Sequence, residues 1–441
     1  MPRVDADADL DLRRDHDLGL AGHRRRGGDV ARHDLLDHPD PLAARLRRHL
    51  GEPGELAGRD PIAVHGTARD QRAGEHHRNC THVGSIANSS HRAARDRRSR
   101  SKITRPGTRG GSSALGYDAP VEPIDLAVAA DDFDQEVSVT PAIDRFCSSS
   151  IWILAAASAL MPPRAPASYR GASGYFAAMR GVHPAGFPYI EPLELAWGLA
   201  SPLIGRDPAP LAEAVVAVLA ARRDWQLTIF TGLTLDGPQR RALERALPAR
   251  WERRTGTPTV RHVASLDGGI DGFLARRSRE LRKSLRKALR AAAGAGVRFE
   301  SVGRASAEDA VALYARIQAV EAASWKAREG VGISSGPMRA FYEHMLPPLC
   351  ARGQQRLQFA RVGDRDIGYI LGAVFEDEYR GLQFSYDDQH AGLGIGGLLQ
   401  YHQILELCAE GVTRYDLGTE MDYKRRWAED VMETEMLVVV R

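Results

Sequence analysis

Three observations predict a mixed α/β fold, in which a central sheet is flanked by helices and preceded by a long disordered extension. Residues 1–113 contain no Phe, Tyr or Trp and show neither helical nor strand periodicity. From about Val121 onward, apolar residues recur alternately at strand and helix spacing. The stretch Tyr379 to Leu399, YRGLQFSYDDQHAGLGIGGLL, reads as a strand that runs into a glycine-rich turn and then directly into a helix. Such a junction is a candidate anion site, because glycine lets backbone approach a ligand and the first helical N–H groups have no partner inside the helix.

Length and composition narrow the possibilities. A chain of 441 residues with 43% hydrophobic content holds two or three domains with real cores. Its net charge of +3 is small for that length and identifies no partner. Only Lys102, Lys283, Lys287, Lys326 and Lys424 are lysines among 60 basic residues, the mark of a GC-rich genome. The four cysteines, Cys80, Cys147, Cys350 and Cys408, are far apart and lack CxxC spacing, so neither a disulfide framework nor a zinc site is expected and a reducing cytoplasm fits. Ile151 to Met161 is the most apolar run and is too short to span a bilayer. The first thirty residues are acidic and Arg-rich with no apolar core, so no signal peptide is expected.

Taken in order, residues 1–113 hold ten of the fifteen histidines and mix Arg, Asp, His and Gly. A segment of this kind cannot bury enough apolar surface to offset its ordering entropy, so it is expected to be disordered. Its composition also resembles a GC-rich frame read upstream of the true start, in which case it is not made at all. The piece RAARDRRSR from Arg92 to Arg100 lacks aromatic interleaving, and the histidines lack ligand spacing, so neither nucleic acid nor metal is indicated.

Residues 121–266 read as an alternating α/β domain. Thr140-Pro141 signals a helix start, with Ile143, Phe146 and Cys147 on one face. Short strands follow at Gly174–Met179 and Phe187–Glu191. A helix is expected from Pro210 to Arg222, a strand at Gln226–Thr231, a helix at Pro238–Leu247 and a strand at Pro258–Leu266.

Residues 268–441 open on one long basic helix from Gly268 to Gly296. Leu274, Leu281, Leu285 and Leu289 form its stripe, and arginines and lysines from Arg276 to Arg290 cover the rest. That face is either solvated or turned to a phosphate-bearing substrate, RNA or an acidic membrane. Ser306 and Asp309 form a capping box for a helix carrying Val311, Leu313, Ile317 and Val320. Pro337 starts another helix, with Phe341, Met345 and Leu349 on one face. Strands at Leu357–Val362, Ile367–Phe375 and Tyr379–Tyr386 precede the glycine loop and its helix, and strands at Thr413–Leu417 and Glu435–Val440 close the chain.

This order is similar to the GNAT acyltransferase fold, in which the turn after the fourth strand carries a Q/R-x-x-G-x-G/A signature. Gln389, Gly392 and Gly394 match that signature. VEAASWK (320–326), FSYD (384–387), YDLG (415–418) and DYKRRW (422–427) further resemble the FemAB-like branch, particularly its CelD-like acetyltransferase domain, over residues 268–440. The resemblance implies tandem GNAT-like domains, a degenerate first one at 121–266 and the acetyltransferase domain at 268–441. It also implies an acyl-CoA donor, most simply acetyl-CoA, no metal, and an amine acceptor from a cell-envelope, glycan or peptide precursor. A Fem-type transfer from aminoacyl-tRNA, which would suit the basic helix, and a non-catalytic scaffold are the rivals.

Acyl transfer from a thioester to an amine needs a phosphate cradle, an oxyanion partner, a base and an acid. The backbone amides from Gly392 to Gly396, with Gln389, are assigned to the cradle. Lys424, preceded by Tyr423, matches the aromatic-Lys motif of Fem-type transferases; it either faces the oxyanion or a substrate phosphate, or pairs on the surface with Glu420 or Glu429. Glu321 and Trp325, four residues apart, are placed on one helical face, with Glu321 a base, an anchor or a helix-end carboxylate. Tyr386 is assigned to protonate the thiolate and Asp387 to orient or deprotonate the amine, with packing and turn capping as the alternatives. Trp325, Lys326 and Asp416 are assigned to the substrate, Asp416 facing cleft or core according to register. His390 and His402 read as loop and surface, and Trp427 as a lid or core aromatic.

Overall fold

The computed structural model describes residues 121–330 and 332–441. The expectation for residues 1–113 lies outside them. The first half contains β1 (Glu122–Pro123), α1 (Ala130–Val139), α2 (Arg145–Ser148), α3 (Ser150–Ala159), β2 (Ala165–Pro166), β3 (Tyr169–Gly171) and β4 (Gly174–Phe176). It continues through β5 (Ala178–Val182), β6 (Pro188–Pro192), β7 (Leu203–Ile204), α4 (Pro208–Ala221), β8 (Leu227–Thr234), α5 (Pro238–Ala246), β9 (Glu252–Thr255) and β10 (Thr259–Ser265). The second half opens with α6 (Gly269–Ala275), α7 (Arg279–Gly294), β11 (Val297–Val302), α8 (Asp309–Ala322), α9 (Trp325–Glu329) and α10 (Gly336–Ala351). It ends with β12 (Gln355–Val362), β13 (Arg365–Phe375), β14 (Glu378–Tyr386), α11 (Ile395–Glu410), β15 (Arg414–Thr419) and β16 (Asp430–Val440).

The expected mixed sheet flanked by helices is present. One sheet runs in the order β11-β12-β13-β14-β15-β10-β16-β8-β6-β5-β2, and a small sheet β1-β3-β4-β7 lies apart from it. Each half supplies one parallel pair with a helix between its strands, β6 with β8 and β14 with β15. The closing strands are exchanged. β10, from the first half, pairs with β15, while β16, from the end of the chain, runs between β10 and β8. Leu437 and Val439 of β16 therefore sit in the same core as Leu211, Trp225, Phe230 and Trp251.

Several local expectations are corrected. Thr140 ends α1 rather than starting a helix; Asp144 caps α2 instead, its carboxylate accepting from Cys147 N at 2.9 Å. The single basic helix is two, because Ser278 takes extended backbone and its hydroxyl accepts from Leu281 N at 3.1 Å, starting α7 afresh. Arg277 is buried against the Phe273 ring and pairs with Glu429, so that part of the charged face is structural. Val311 is 74% exposed, its place on the buried face of α8 being taken by Ala310 and Tyr314. The capping box at Ser306 and Asp309 forms reciprocally, each accepting from the other's backbone N–H.

The parallel ladder between β14 and β15 is short: only Glu378, Tyr379 and Arg380 pair with Arg414, Tyr415 and Asp416. Beyond those rungs β14 continues to Tyr386 and β15 to Thr419 without pairing to each other, and the two strands part. The gap that results gathers Trp325, Lys326, Tyr386, Gly394, Gly396, Tyr423 and Lys424 of the predicted site residues.

Candidate active site

A cavity of about 720 Å³ opens at this parting. Gly381 to Tyr386 of β14 form one side, Leu417 to Thr419 of β15 another, and Gly394, Gly396 and Gly397 at the start of α11 the end wall. Ser284, Leu285 and Ala288 of α7 cover it, and Trp152 and Trp197 from the first half close its far side. Those tryptophans are fixed by edge packing on Phe341 of α10, at ring separations of 5.0 and 5.3 Å, so both halves build the cavity. A more open groove of about 900 Å³ beside Arg170 and Arg206 holds none of the predicted site residues.

The glycine-rich turn has a definite shape. Asp388 to Leu393 make a 3-10 turn capped by Asp387, and Gly394 then takes φ +71°, a left-handed conformation that glycine adopts without strain. The first intrahelical bonds of α11 run from Gly397 N and Leu398 N to Gly394 O, both 3.1 Å, which leaves the N–H groups of Ile395 and Gly396 ahead of the ladder, and Gly396 lines the cavity. A Cβ on Gly394 would stand 3.1 Å from Ala288 Cβ, and one on Gly396 3.1 Å from the rings of Phe384 and Tyr386. Gly394 thus serves the turn and Gly396 serves close packing of α11 on β14. Gln389 and Gly392 are exposed on the outer side of the turn and do not line the cavity.

Lys424 is buried and reaches the cavity from a 3-10 turn, Asp422–Arg426, with Nζ donating to Thr419 O at 2.7 Å. The surface pairing with Glu420 or Glu429 does not form: Glu420 binds Arg425, and Glu429 binds Arg276 and Arg277. Burial, reinforced by the Arg380 guanidinium and opposed by Asp416, pulls the Lys424 ammonium down to about 7. Tyr423 lines the same wall, its ring edge-on to Phe384 at 5.7 Å.

Glu321 is sealed away. Only 1% exposed, it accepts from Tyr369 OH at 2.6 Å, Lys326 Nζ at 3.3 Å and Ile333 N at 3.3 Å. It does not share a helical face with Trp325, because α8 stops at Ala322 and Ser324 caps the separate helix α9. Its role in the geometry is to hold Lys326, which also donates to Gln383 Oε1 at 2.7 Å and Phe384 O at 2.9 Å and lines the cavity with Trp325. Burial lowers the Lys326 ammonium from its usual range, against the raising effect of Glu321.

Asp387 is likewise committed, accepting from Gln389 N at 2.9 Å and Arg365 Nη2 at 2.6 Å, and it does not line the cavity. Tyr386, one residue earlier, does. Asp416 faces the core. Its Oδ2 lies 2.9 Å from Arg380 Nη1 and accepts from Arg261 Nη1 at 2.6 Å, and its Oδ1 accepts from Gly418 N at 2.7 Å. Arg261 also binds Asp144, joining the first half to this network. Burial pushes the Asp416 carboxyl up, but the two arginines hold it below its ordinary value. His390 pairs loosely with Asp387 at 3.5 Å, His402 stacks on Phe299 at 3.9 Å, and Trp427 is core, stacked on Phe273.

The sequence reading missed Arg380, Arg261, Asp144 and the two tryptophans. One signal was available for Arg380, an arginine inside the otherwise aromatic strand YRGLQFSY and opposite the Asp of YDLG.

Residues 276–425 match the family model described as Acetyltransferase (GNAT) domain. FemX superposes with a TM-score of 0.51 at 12% identity, covering 72% of this chain and 96% of that one. A conserved protein of unknown function from Bacteroides thetaiotaomicron is 11% identical over 73% of this chain and 100% of that one, with a TM-score of 0.49. A GCN5-related N-acetyltransferase from Kribbella flavida is 13% identical over 57% of this chain and 81% of that one, with a TM-score of 0.29. No curated protein matches the sequence. Residues 276–425 thus match a GNAT domain, and the fold of the chain is similar to that of FemX.

Proposed function

We propose that this protein is an N-acyltransferase that moves an acyl group, most simply acetyl, from acyl-CoA to an amine, with residues 121–266 and 268–441 as its two lobes. The observation that carries the reading is the cavity itself: the start of α11, with its glycine turn, forms one wall, and the buried Lys424 Nζ opens into the same space. The N–H groups of Ile395 and Gly396 and the positive end of the α11 dipole suit a diphosphate, and the space suits a pantetheine arm. In the reaction the C–S bond breaks as the C–N bond forms, the amine gives up a proton and the thiolate takes one.

Lys424 held near neutrality is suited to accept the amine proton, and as an ammonium it then faces the oxyanion. Tyr386, on the wall nearest the α11 turn, is the group placed to protonate the thiolate. Lys326, fixed by Glu321, Gln383 and Phe384 O, adds an amino group to the β14 side of the cavity. Asp387 supports the turn from behind instead of acting as the base.

The cell-envelope acceptor and the cytoplasmic location are part of this reading and rest on the FemAB-like resemblance. Among the described residues no helix is long and apolar enough to cross a membrane, and no cluster of His, Cys, Asp and Glu is arranged to hold a metal. A second reading, transfer from aminoacyl-tRNA, is favoured by one observation: Arg279, Lys283, Arg286, Lys287 and Arg290 lie exposed along α7, beside the cavity and without ion pairs among the described residues. Thiol release with acetyl-CoA and a panel of amines tests the first reading. Turnover is expected with a subset of amines, and turnover only with charged tRNA would replace it with the second.

A further inference from the structure

The cavity has a charge asymmetry that the donor does not explain. Lys326, Arg380, Lys424 and Arg426 line it, and among the described residues no Asp or Glu does. Glu321 and Asp416 are close behind the wall but spend their oxygens on buried partners. Arg380 is the most telling of the four. It is only 6% exposed, its Nη1 lies 2.9 Å from Asp416 and 3.7 Å from Asp144, and its buried Nε finds no acceptor among the described residues. Its Nη2, on the Gly418 side of the cavity, also has no hydrogen-bond acceptor among the described residues, and a buried guanidinium nitrogen left without one is costly unless a ligand completes it.

Position adds a constraint on what that ligand is. A Cβ built on Gly418 would stand 3.4 Å from Lys424 Nζ and 3.7 Å from Arg380 Nη2, so the two nitrogens are at most 7.1 Å apart. Gly418 takes φ +85° and carries no side chain, which leaves the space between them open. The α11 end wall, where the donor phosphates are placed, is formed by a different element.

We propose that Arg380 is an anchor for the acceptor, and that the acceptor is a small amine carrying its own anionic group, a carboxylate or a phosphate, a few bonds from the reacting nitrogen. Arg380 holds the anion and thereby sets the amine at Lys424. The idea rests on the acyltransfer reading for the role of the amine, but the anion site stands independently of the donor.

The test is calorimetric titration of the full chain with three probes, β-alanine (amine and carboxylate), phosphoethanolamine (amine and phosphate) and ethylamine (amine alone), alongside Arg380→Gln and Arg380→Lys. At least one anionic probe should bind wild type roughly tenfold or more tighter than ethylamine. Arg380→Gln should lose that preference and Arg380→Lys should keep part of it. Which anionic probe binds decides between carboxylate and phosphate. Equal binding of ethylamine, retention of the preference in Arg380→Gln, or no binding of any probe would overturn the proposal. Thermal melts show whether each variant is folded, and the charge-conserving lysine variant keeps the question answerable if the glutamine variant is not. Failure of coenzyme A to bind while an anionic probe does would count against the donor reading alone.

Discussion

Arg380 and Asp416 are direct partners on the last rung of the parallel ladder between β14 and β15, and their side chains close the same pair, with Nη1 2.9 Å from Oδ2. The rung is where the strands stop pairing, so the ion pair sits at the root of the cavity and reaches both Lys424 and the first half through Arg261 and Asp144.

Lys424→Met should lose most turnover, about a hundredfold or more if Lys424 is the proton acceptor. Its stability at pH 7 should be unchanged or higher, because the substitution removes an ammonium that burial disfavours. The pH dependence of stability follows from the lowered value. Between about 7 and the ordinary lysine range the unfolded chain binds a proton that the folded chain does not, so wild-type stability rises with pH across that window. Thermal melts from pH 6 to 10 should show this rise in wild type and a smaller one in the methionine variant, where Lys326 alone of the two buried lysines remains.

The rate should rise with pH through about 7 if Lys424 acts as a base. Arg380→Gln removes a neighbouring cation and should move that limb to higher pH; Asp416→Asn removes the opposing carboxylate and should move it lower. kcat/KM profiles of both variants check the sign. The asparagine variant is also expected to lose about 3 kcal/mol of stability, since it leaves the buried guanidiniums of Arg261 and Arg380 with Asp144 as their one carboxylate among the described residues.

Leu437→Ala should cost about 2–5 kcal/mol, a large effect for a residue this close to the end of the chain, because β16 completes the core around Trp225 and Trp251. Denaturant unfolding followed by tryptophan fluorescence measures it. A change under about 0.5 kcal/mol would contradict the exchanged-strand packing.

Much of the fold was legible because periodicity is local. β8, β13, β14 and α11 follow from runs of apolar residues at fixed spacing, and the glycine turn from its composition. The exchange of β10 and β16 was not legible, since which strand an apolar run pairs with is a long-range matter. The site divided in the same way. Lys424, Lys326, Trp325, Tyr386 and Tyr423 were identifiable as residue types out of place or in motifs, and all reach the cavity. Glu321, Asp387 and Asp416 have the right chemistry and adjacent positions, but hydrogen bonds from Tyr369, Arg365 and Arg261, remote in sequence, engage their oxygens. A sequence shows a carboxylate; only the folded partner set shows whether its oxygens are still available.

The central claim, that the α11 turn holds a coenzyme A donor, is tested most directly by calorimetric titration of coenzyme A into wild type and Gly394→Trp. A side chain at residue 394 meets both a left-handed backbone and Ala288. Submillimolar binding to wild type that disappears in Gly394→Trp is the predicted result. No binding to wild type, or equal binding to a folded Gly394→Trp, would contradict it.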